Sequence, residues 1–512
     1  MSAIHQVLLA GGASYQIQNS LRFRAANSAY LSRTFGSPTS STVWTFSAWC
    51  KRGTLGSTSY LLGASTTTNF GFNSSNQLVL TLNGTTACTS TAVFRDPSAW
   101  MHIVYQQNGS AQTIYVNNAS VATGTTAAAI FNTAIAHQVG AANTTNFFDG
   151  HLANVYWIDG QALTPSNFGQ TDATTGVWVP KAYSGTYGTN GFFLQFKDAT
   201  STTTIGYDTS GNSNNFTTSG ISVTSGTTFD QMLDTPTLNY AVMNPLDLSG
   251  TAATFQWANL QVTRSGASQA QAYCSIQMSS GKWYCEMTAG ADVASLSPGI
   301  IVGTANAAAN RYLGQDSFTY GYDPDGRKVN SGTYTAYGNT WTAGDIIGII
   351  LDADNGKLYF SKNGTVQNSG DPIAGTNAAF TGLTGPYRFA ASAESGGVAD
   401  FNFGQRPFAY TPPSGFTALS TANITSTAIT TSGSFTGNAA ADGPFVWTNG
   451  NPATLTINGN AVTFGTHADK TAGGFKLRSS SSSYNASGSN TWSATAGKRF
   501  VQSKKPNNAQ TN

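Results

Sequence analysis

The 512-residue chain is predicted to be all-β: two antiparallel β-sandwiches in tandem, then a small C-terminal β module. Three observations carry this expectation. Charged residues make up only 9% of the chain, and Thr, Ser, Asn and Gly stand in their place. Ordinary soluble domains carry roughly 25%, so few strong helix formers remain and strand and turn residues dominate. Two stretches also spell one device, a strand, a tight turn and a second strand: residues 100–118, turning at Asn108-Gly109, and residues 344–364, turning at Asp354-Asn355-Gly356. Asn, Asp and Gly tolerate the positive φ of such turns, so these runs read as hairpins. Length, finally, suits about three domains and exceeds a single sandwich.

Taken in order, residues 1–19 read as an N-terminal anchor segment. Its apolar patch, residues 7–13, lacks a Lys/Arg flank and does not read as a secretory signal. No apolar run approaches a membrane span. Residues 20–235 form the first sandwich, with strands at 21–23, 44–49 and 78–82 and the first hairpin. Trp44, Phe46 and Ala48 share one face by period-two alternation and point inward. Residues 191–196 are expected to close this sandwich. A polar stretch, 200–228, leads to a boundary at 234–240, where Pro236 stops strand pairing. Residues 236–420 form the second sandwich, with Pro407, Pro412 and Pro413 at its exit. Residues 421–512 hold the C-terminal module, its strands near 445–447, 454–464 and 474–478. Ser479 to Ser483 make a flexible bridge and a tail follows.

The second sandwich resembles the SPRY family. The matching segments are Gly281-Lys282-Trp283-Tyr284-Cys285-Glu286, residues 320–328, 344–364, 386–390 and 401–405, in that order. The resemblance implies a curved two-sheet sandwich that binds through its loops, without catalysis. The first sandwich is similar to concanavalin A-like modules of the laminin-G/pentraxin type, at residues 20–23, 100–104 and 150–157. Many such modules carry acidic residues after the Gly-x-Leu step. Here Ala153 and Asn154 stand there, so no calcium site of that type is expected. The succession of the two modules is similar to structural proteins of tailed bacteriophages, as are residues 5–13, 436–447, 474–478 and 484–488. This implies a virion component assembled in the host cytoplasm, on the tail rather than the capsid. A tail fibre or tail tip would contact other virion proteins through residues 1–19 and a host-surface glycan or receptor through its loops, as a homo-oligomer. Two other readings stand beside it, a capsid decoration or head fibre without a receptor and a glycan-degrading tail enzyme. A cellular SPRY adaptor is the least favoured.

Net charge is +2, too little to draw nucleic acid. Lys498-Arg499 and Lys504-Lys505 read as a solvated tail. Cys50, Cys88, Cys274 and Cys285 form no CxxC pair, so no zinc site is expected. Register counting across a hairpin at Ser279-Ser280-Gly281 sets Cys274 opposite Cys285. A cross-strand disulfide is one reading there; two reduced, core-facing thiols are the preferred one. Glycan hydrolysis needs two carboxylates across one cleft, and the Glu-x-Asp-x-x-Glu spacing is absent. Glu286 reads as structural on a strand, and Asp345, Asp352 and Asp354 fall at strand ends and turns. The calcium-like runs at 323–326 and 352–356 put Tyr334 and Asn363 where an EF-hand needs glutamate, so both read as turns. His5, His102, His137, His151 and His467 show no ligand spacing, and His102 reads as a packed strand residue. No enzyme, cofactor or metal is expected. Aromatic rings stack on sugar faces while polar neighbours hydrogen-bond hydroxyls. On that ground Arg311, Tyr312, Tyr334 and Tyr337, in expected loops of the second sandwich, are the candidate binding face.

Overall fold

Strand Val43–Arg52 shows how the first sandwich is built. Trp44, Phe46, Ala48 and Cys50 enter the core, as alternation predicts. Thr45, Ser47, Trp49 and Lys51 point the other way, yet they too are buried. Later parts of the chain lie over that face: Thr45 Oγ1 donates to Gln161 O (2.8 Å), and Trp178 Nε1 donates to His102, the ring that stacks on Trp49. The computed structural model describes residues 15–424, apart from 128–129, 174, 250–252, 267, 294–295 and 304–306. Beyond 424 it describes the backbone of strands between 432 and 503.

One sheet of the first sandwich runs Ala119–Thr125, Ala111–Val116, Met101–Asn108, Val43–Arg52, Gly150–Asp159, Ser20–Phe23 and Gln231–Met232. Phe192–Leu194 pairs with Gly150–Asp159 as well. The facing sheet runs Thr217–Ser219, Tyr30–Thr34, Ala136–Val139, Ser59–Ser65, Thr68–Phe72, Leu78–Leu82 and Thr85–Thr89. Between them Trp44 stacks on Trp157 with centroids 4.3 Å apart. The expected hairpin is present, Asn108 facing Ala111. Asn117 and Asn118 then take φ of 47° and 71°, the left-handed pair of a tight two-residue turn, into Ala119–Thr125. Residues 191–196 do not close the sandwich. Thr217–Ser219 and Gln231–Met232 are added after them, and side-chain hydrogen bonds from Asp208, Asn212 and Asn214 pin the polar stretch between.

The second sandwich pairs Met243–Ser249, Ala270–Cys274, Tyr387–Ala393, Ser297–Val302, Thr319–Tyr322, Arg327–Asn330 and Thr333–Ala336 in one sheet. Its other sheet holds Thr254–Gln256, Gln261–Thr263, Val398–Asn402, Lys282–Ala289, Ile346–Asp352, Lys357–Lys362 and Thr365–Val366. The second expected hairpin lies there, Asp352 facing Lys357. The chain enters and leaves this sandwich side by side: Ala241 N donates to Leu419 O (3.0 Å), Thr421 N to Asn239 O (2.8 Å), and Tyr240 bridges Ser420. Cys274 and Cys285 are not cross-strand neighbours. Residues 275–281 cross from one sheet to the other, so Cys274 faces Met243 in its sheet and Cys285 faces Ile349 in the opposite one. All four cysteines are free and buried.

Two antiparallel sheets appear in the C-terminal unit, which is compact by itself. One pairs Ser432–Thr436, Ser489–Ala494, Leu455–Ile457 and Asn460–Ala461; the other pairs Gly474–Lys476, Phe445–Thr448 and Phe500–Ser503. The chain is therefore all-β in sandwich-type sheets. Residues 1–14 of the expected anchor, the polyserine bridge and both basic pairs lie outside the described residues. Of the anchor's remainder, Tyr15 and Ile17 pack against Trp49, Trp100 and Trp178 of the first sandwich.

Both sandwiches belong to one compact unit, and a buried polar seam joins them. Asp230 accepts from Arg22 Nε and Arg24 Nε, both at 2.9 Å, and from Ser222 N at 2.8 Å. The ring of Trp257, from the second sandwich, lies 5.8 and 5.4 Å from the two guanidiniums. Trp257, Ala258 and Asn259 all take left-handed φ, 56° to 63°. Asp149 of the first sandwich holds this turn, its Oδ1 accepting Ala258 N at 2.7 Å. Leu233 N donates to Gln405 O (2.7 Å), and Asn259 Nδ2 to Gly53 O (3.3 Å).

Removing Asp230 leaves two buried guanidiniums without their carboxylate. Asp230→Ala is expected to destabilise by about 3–5 kcal/mol. The matched control is Asp325→Ala, whose carboxylate is 71% exposed in its pair with Arg327. An exposed pair of that kind should cost no more than about 1 kcal/mol. Denaturant melts of both variants against the parent chain measure the difference.

Candidate functional site

Strand Thr333–Ala336 lies at one edge of its sheet, paired on one side with Arg327–Asn330. All four of its residues are exposed. Tyr334 faces Val329 across the pair, so Arg327 is its diagonal neighbour on the same face. The guanidinium of Arg327 stands 4.5 Å from the centre of the Tyr334 ring. Asp323 and Asp325 hold that guanidinium from below; Arg327 Nε donates to Asp323 Oδ2 at 2.9 Å, and Nη2 lies 2.6 Å from Asp325 Oδ2. Tyr312 completes the group, with its ring 5.7 Å from that of Tyr334 and tilted by 35°. Partial burial and the hydroxyl of Tyr312 push the Tyr334 phenol well above the usual tyrosine range. The result is an aromatic and guanidinium platform, 42% of Tyr334 being open to solvent. Such a surface can stack on a sugar face or another flat apolar group and hydrogen-bond around it.

The four residues expected on this face part company. Tyr312 and Tyr334 meet. Arg311 is half-buried nearby, its backbone carbonyl accepting from Gln271 Nε2. Tyr337 lies elsewhere, 7% exposed, its ring edge-on to Tyr322 and Phe360 in the core. Tyr337 N donates to Gly326 O, which turns the chain inward just past the edge strand. Sequence reasoning left Arg327 out of the face. Its signal was the position of Arg327 two residues before Val329 on one strand, meaningful only once the pairing with Tyr334 is known.

The groups that resemble catalytic or metal-binding parts have structural partners. Glu286 accepts from the backbone N–H of Ala409 and Tyr410, both at 2.9 Å, and from the Tyr284 hydroxyl at 3.1 Å. Burial raises its pKa, and those donors oppose the shift. It thereby holds the proline-rich exit segment against its strand. Asp345 caps its turn through Thr342 N and Asn363 Nδ2, and Asp352 does so through Asn355. In the run 323–326, the cation beside the aspartates is Arg327. Among the described residues no group of three or more His, Cys, Asp or Glu could hold a metal ion.

Among the described residues Ser47 and His102 make a serine–histidine contact, Oγ to Nε2 at 2.8 Å. Trp178 Nε1 donates to His102 Nδ1 (3.1 Å), and an indole N–H cannot accept. The neutral ring therefore carries its proton on Nε2 and donates it to Ser47 Oγ. A base must take the serine proton, and this imidazole gives its own. Desolvation pushes the His102 pKa down to about 3.

Comparison with known proteins agrees with both module types. The SPRY domain family matches residues 282–406, and the concanavalin A-like lectin/glucanases superfamily matches residues 25–168. Similar stretches occur in an ATP-dependent RNA helicase DDX1 of Xenopus laevis (34% identical over 123 residues, 24% of this chain and 16% of that protein) and in an E3 ubiquitin-protein ligase RKP of Arabidopsis thaliana (37% over 111 residues, 20% and 8%). Ran-binding protein 10 of Danio rerio is 34% identical over 115 residues, 22% of this chain and 18% of that protein. The chain thus spans only a small part of each relative. The solved SPRY domain of human HERC1 aligns over 31% of this chain and 96% of its own, at 15% identity and a TM-score of 0.25. No helix of the described residues is long and apolar enough to cross a membrane.

The buried imidazoles set a pH dependence. Burial lowers His102 to about 3 and His137 to about 4, and it takes His151 well below 6.5, with Lys51 and Arg22 adding to the shift. On unfolding each regains an ordinary pKa near 6.5. The unfolded chain therefore binds protons that the folded one refuses, so stability is full above that range and falls with pH below it. Asp149, raised by burial to about 6, works the opposite way, its contribution being lost as pH rises through 6, and burial raises Glu286 and Asp400 in the same direction. Only the three imidazoles have their unfolded pKa inside the window, so they set the sign there and the denaturation midpoint should drop between pH 7.5 and 5.5. A flat or rising midpoint over that window would contradict the burial of the three rings.

Proposed function

We propose that the chain is a non-catalytic binding component of a tailed-phage virion, with a tail-fibre or tail-tip place and a host-surface glycan as its ligand. The observation that carries the binding part is the Tyr312–Tyr334–Arg327 platform on an exposed sheet edge. Its support is rigid, because the seam fixes the second sandwich on the first. The phage part rests on the order of the two modules and on the sequence segments at both ends. A low-charge, hydrogen-bonded β chain suits life outside a cell, and repeated copies would turn weak single contacts into avidity. The names of the relatives, a helicase, a ubiquitin ligase and a Ran-binding protein, describe proteins of which this chain matches a small part, so their activities are not carried over.

Retention of the purified chain on surface polysaccharides from bacterial hosts tests the proposal. Tyr334→Ala should weaken retention about tenfold, about 1.4 kcal/mol, with an unchanged denaturation midpoint. Equal retention of the variant would remove the platform from the reading. Release of new reducing ends would favour a glycan-cleaving enzyme instead. Density for the two sandwiches on the capsid shell of an imaged particle would leave a decoration role.

A further inference from the structure

The seam contains a lysine, an asparagine and an aspartate held together away from water. Lys51 Nζ donates to Asp234 Oδ2 and to Asn239 Oδ1, both at 2.7 Å, and to Tyr240 O at 2.9 Å. Lys51 is 1% exposed, Asp234 fully buried and Asn239 4% exposed. Each is fixed from behind. Asp234 Oδ1 accepts Trp100 Nε1 at 2.9 Å and Tyr240 N at 3.3 Å. Asn239 Nδ2 donates to Ser98 O (2.9 Å), which orients the carboxamide with its oxygen toward the lysine. The main chain of Asn239 is tied to Thr421 at both its N–H and its carbonyl. Lys51 sits on the central strand of the first sandwich, whereas Asp234 and Asn239 flank the turn that leads into the second.

We propose that Lys51 and Asn239 join in an autocatalytic isopeptide bond, with Asp234 as the proton carrier. The parts required are an amine nucleophile, a carboxamide carbon with a leaving nitrogen, and a carboxylate within reach of the amine's proton. Lys51 Nζ gives one proton to Asp234 Oδ2. The neutral amine attacks Asn239 Cγ and forms the new C–N bond. A second proton passes from the attacking nitrogen to Nδ2, the Cγ–Nδ2 bond breaks, and ammonia leaves. It departs as ammonium with the proton that Asp234 held, which restores the carboxylate. No oxidant, reductant or other reactant enters. Desolvation pulls the lysine's pKa below its ordinary value, against the attraction of Asp234, which eases the first transfer. Fixed, water-free neighbours supply the high effective concentration that amide exchange between unactivated groups needs. The product would bind the two sandwiches covalently, closing a loop between positions 188 residues apart.

Intact mass spectrometry of the purified full-length chain, followed by tryptic mapping, tests this directly. The expected result is a mass lower than the sequence by one ammonia. Trypsin should fail to cut at Lys51, and a branched peptide should join the Lys51 segment to the Asn239 segment. Lys51→Arg should restore the ammonia. If that variant is insoluble, the parent chain's branched peptide decides alone. A parent chain of full sequence mass, or an ammonia loss confined to an Asn239 succinimide with Lys51 cleaved normally, overturns the proposal.

Discussion

Charge neutralisation inside the seam is the constraint on which the rest of this structure depends. Arg22, Arg24 and Lys51 are almost wholly removed from solvent, and so are Asp230 and Asp234. A buried ion costs several kcal/mol unless its partner and its remaining hydrogen bonds are in place. The partners here come from different parts of the chain. The cations lie on early strands of the first sandwich or, for Arg24, just past one, the aspartates flank its last strand Gln231–Met232, and Trp257 arrives from the second sandwich. No one of these segments can be buried properly without the others. That mutual requirement makes two sandwiches one unit, and it accounts for the burial of Lys51 at the end of the outer face of Val43–Arg52.

How much of this was legible in the sequence varied with the range of the interaction. Both hairpins could be read because their information is local: period-two alternation on each side of an Asn or Gly that accepts positive φ. The all-β class followed from composition. The late strands Thr217–Ser219 and Gln231–Met232 could not be read, since each is two or three residues long and mostly polar. Both pair with strands near the start of the chain, and Arg22 and Arg24 meet Asp230 more than 200 positions away, which no window along the chain can show. The cysteine pairing failed for a related reason. Residues 275–281 have the composition of a hairpin turn but carry the chain between sheets.

The candidate face was legible in part. Composition and the expected loops drew Tyr312, Tyr334 and Tyr337 together, yet only two residues separate an exposed ring, Tyr334, from a buried one, Tyr337. Tyr334 stands on the edge strand, where there is no further strand to cover it, whereas Tyr337 follows the backbone back toward Gly326 and fills the core. Arg327 shows the complementary gap, because a cross-strand diagonal depends on register. Register was set by Asn330 facing Thr333 at the turn, a detail of geometry rather than of residue type.

The side-by-side arrangement of the chain at residues 239–241 and 419–421 has a mechanical meaning. These segments are joined by Ala241 N to Leu419 O and Thr421 N to Asn239 O, with Tyr240 bridging Ser420. Tension applied along the polypeptide from one side of the second sandwich to the other would cross this short antiparallel contact first. The long strands of both sheets, Lys282–Ala289 and Ile346–Asp352 among them, would remain unloaded until it parted. The second sandwich is thus shunted out of the load path, an appendage that a pulled chain could carry without stretching.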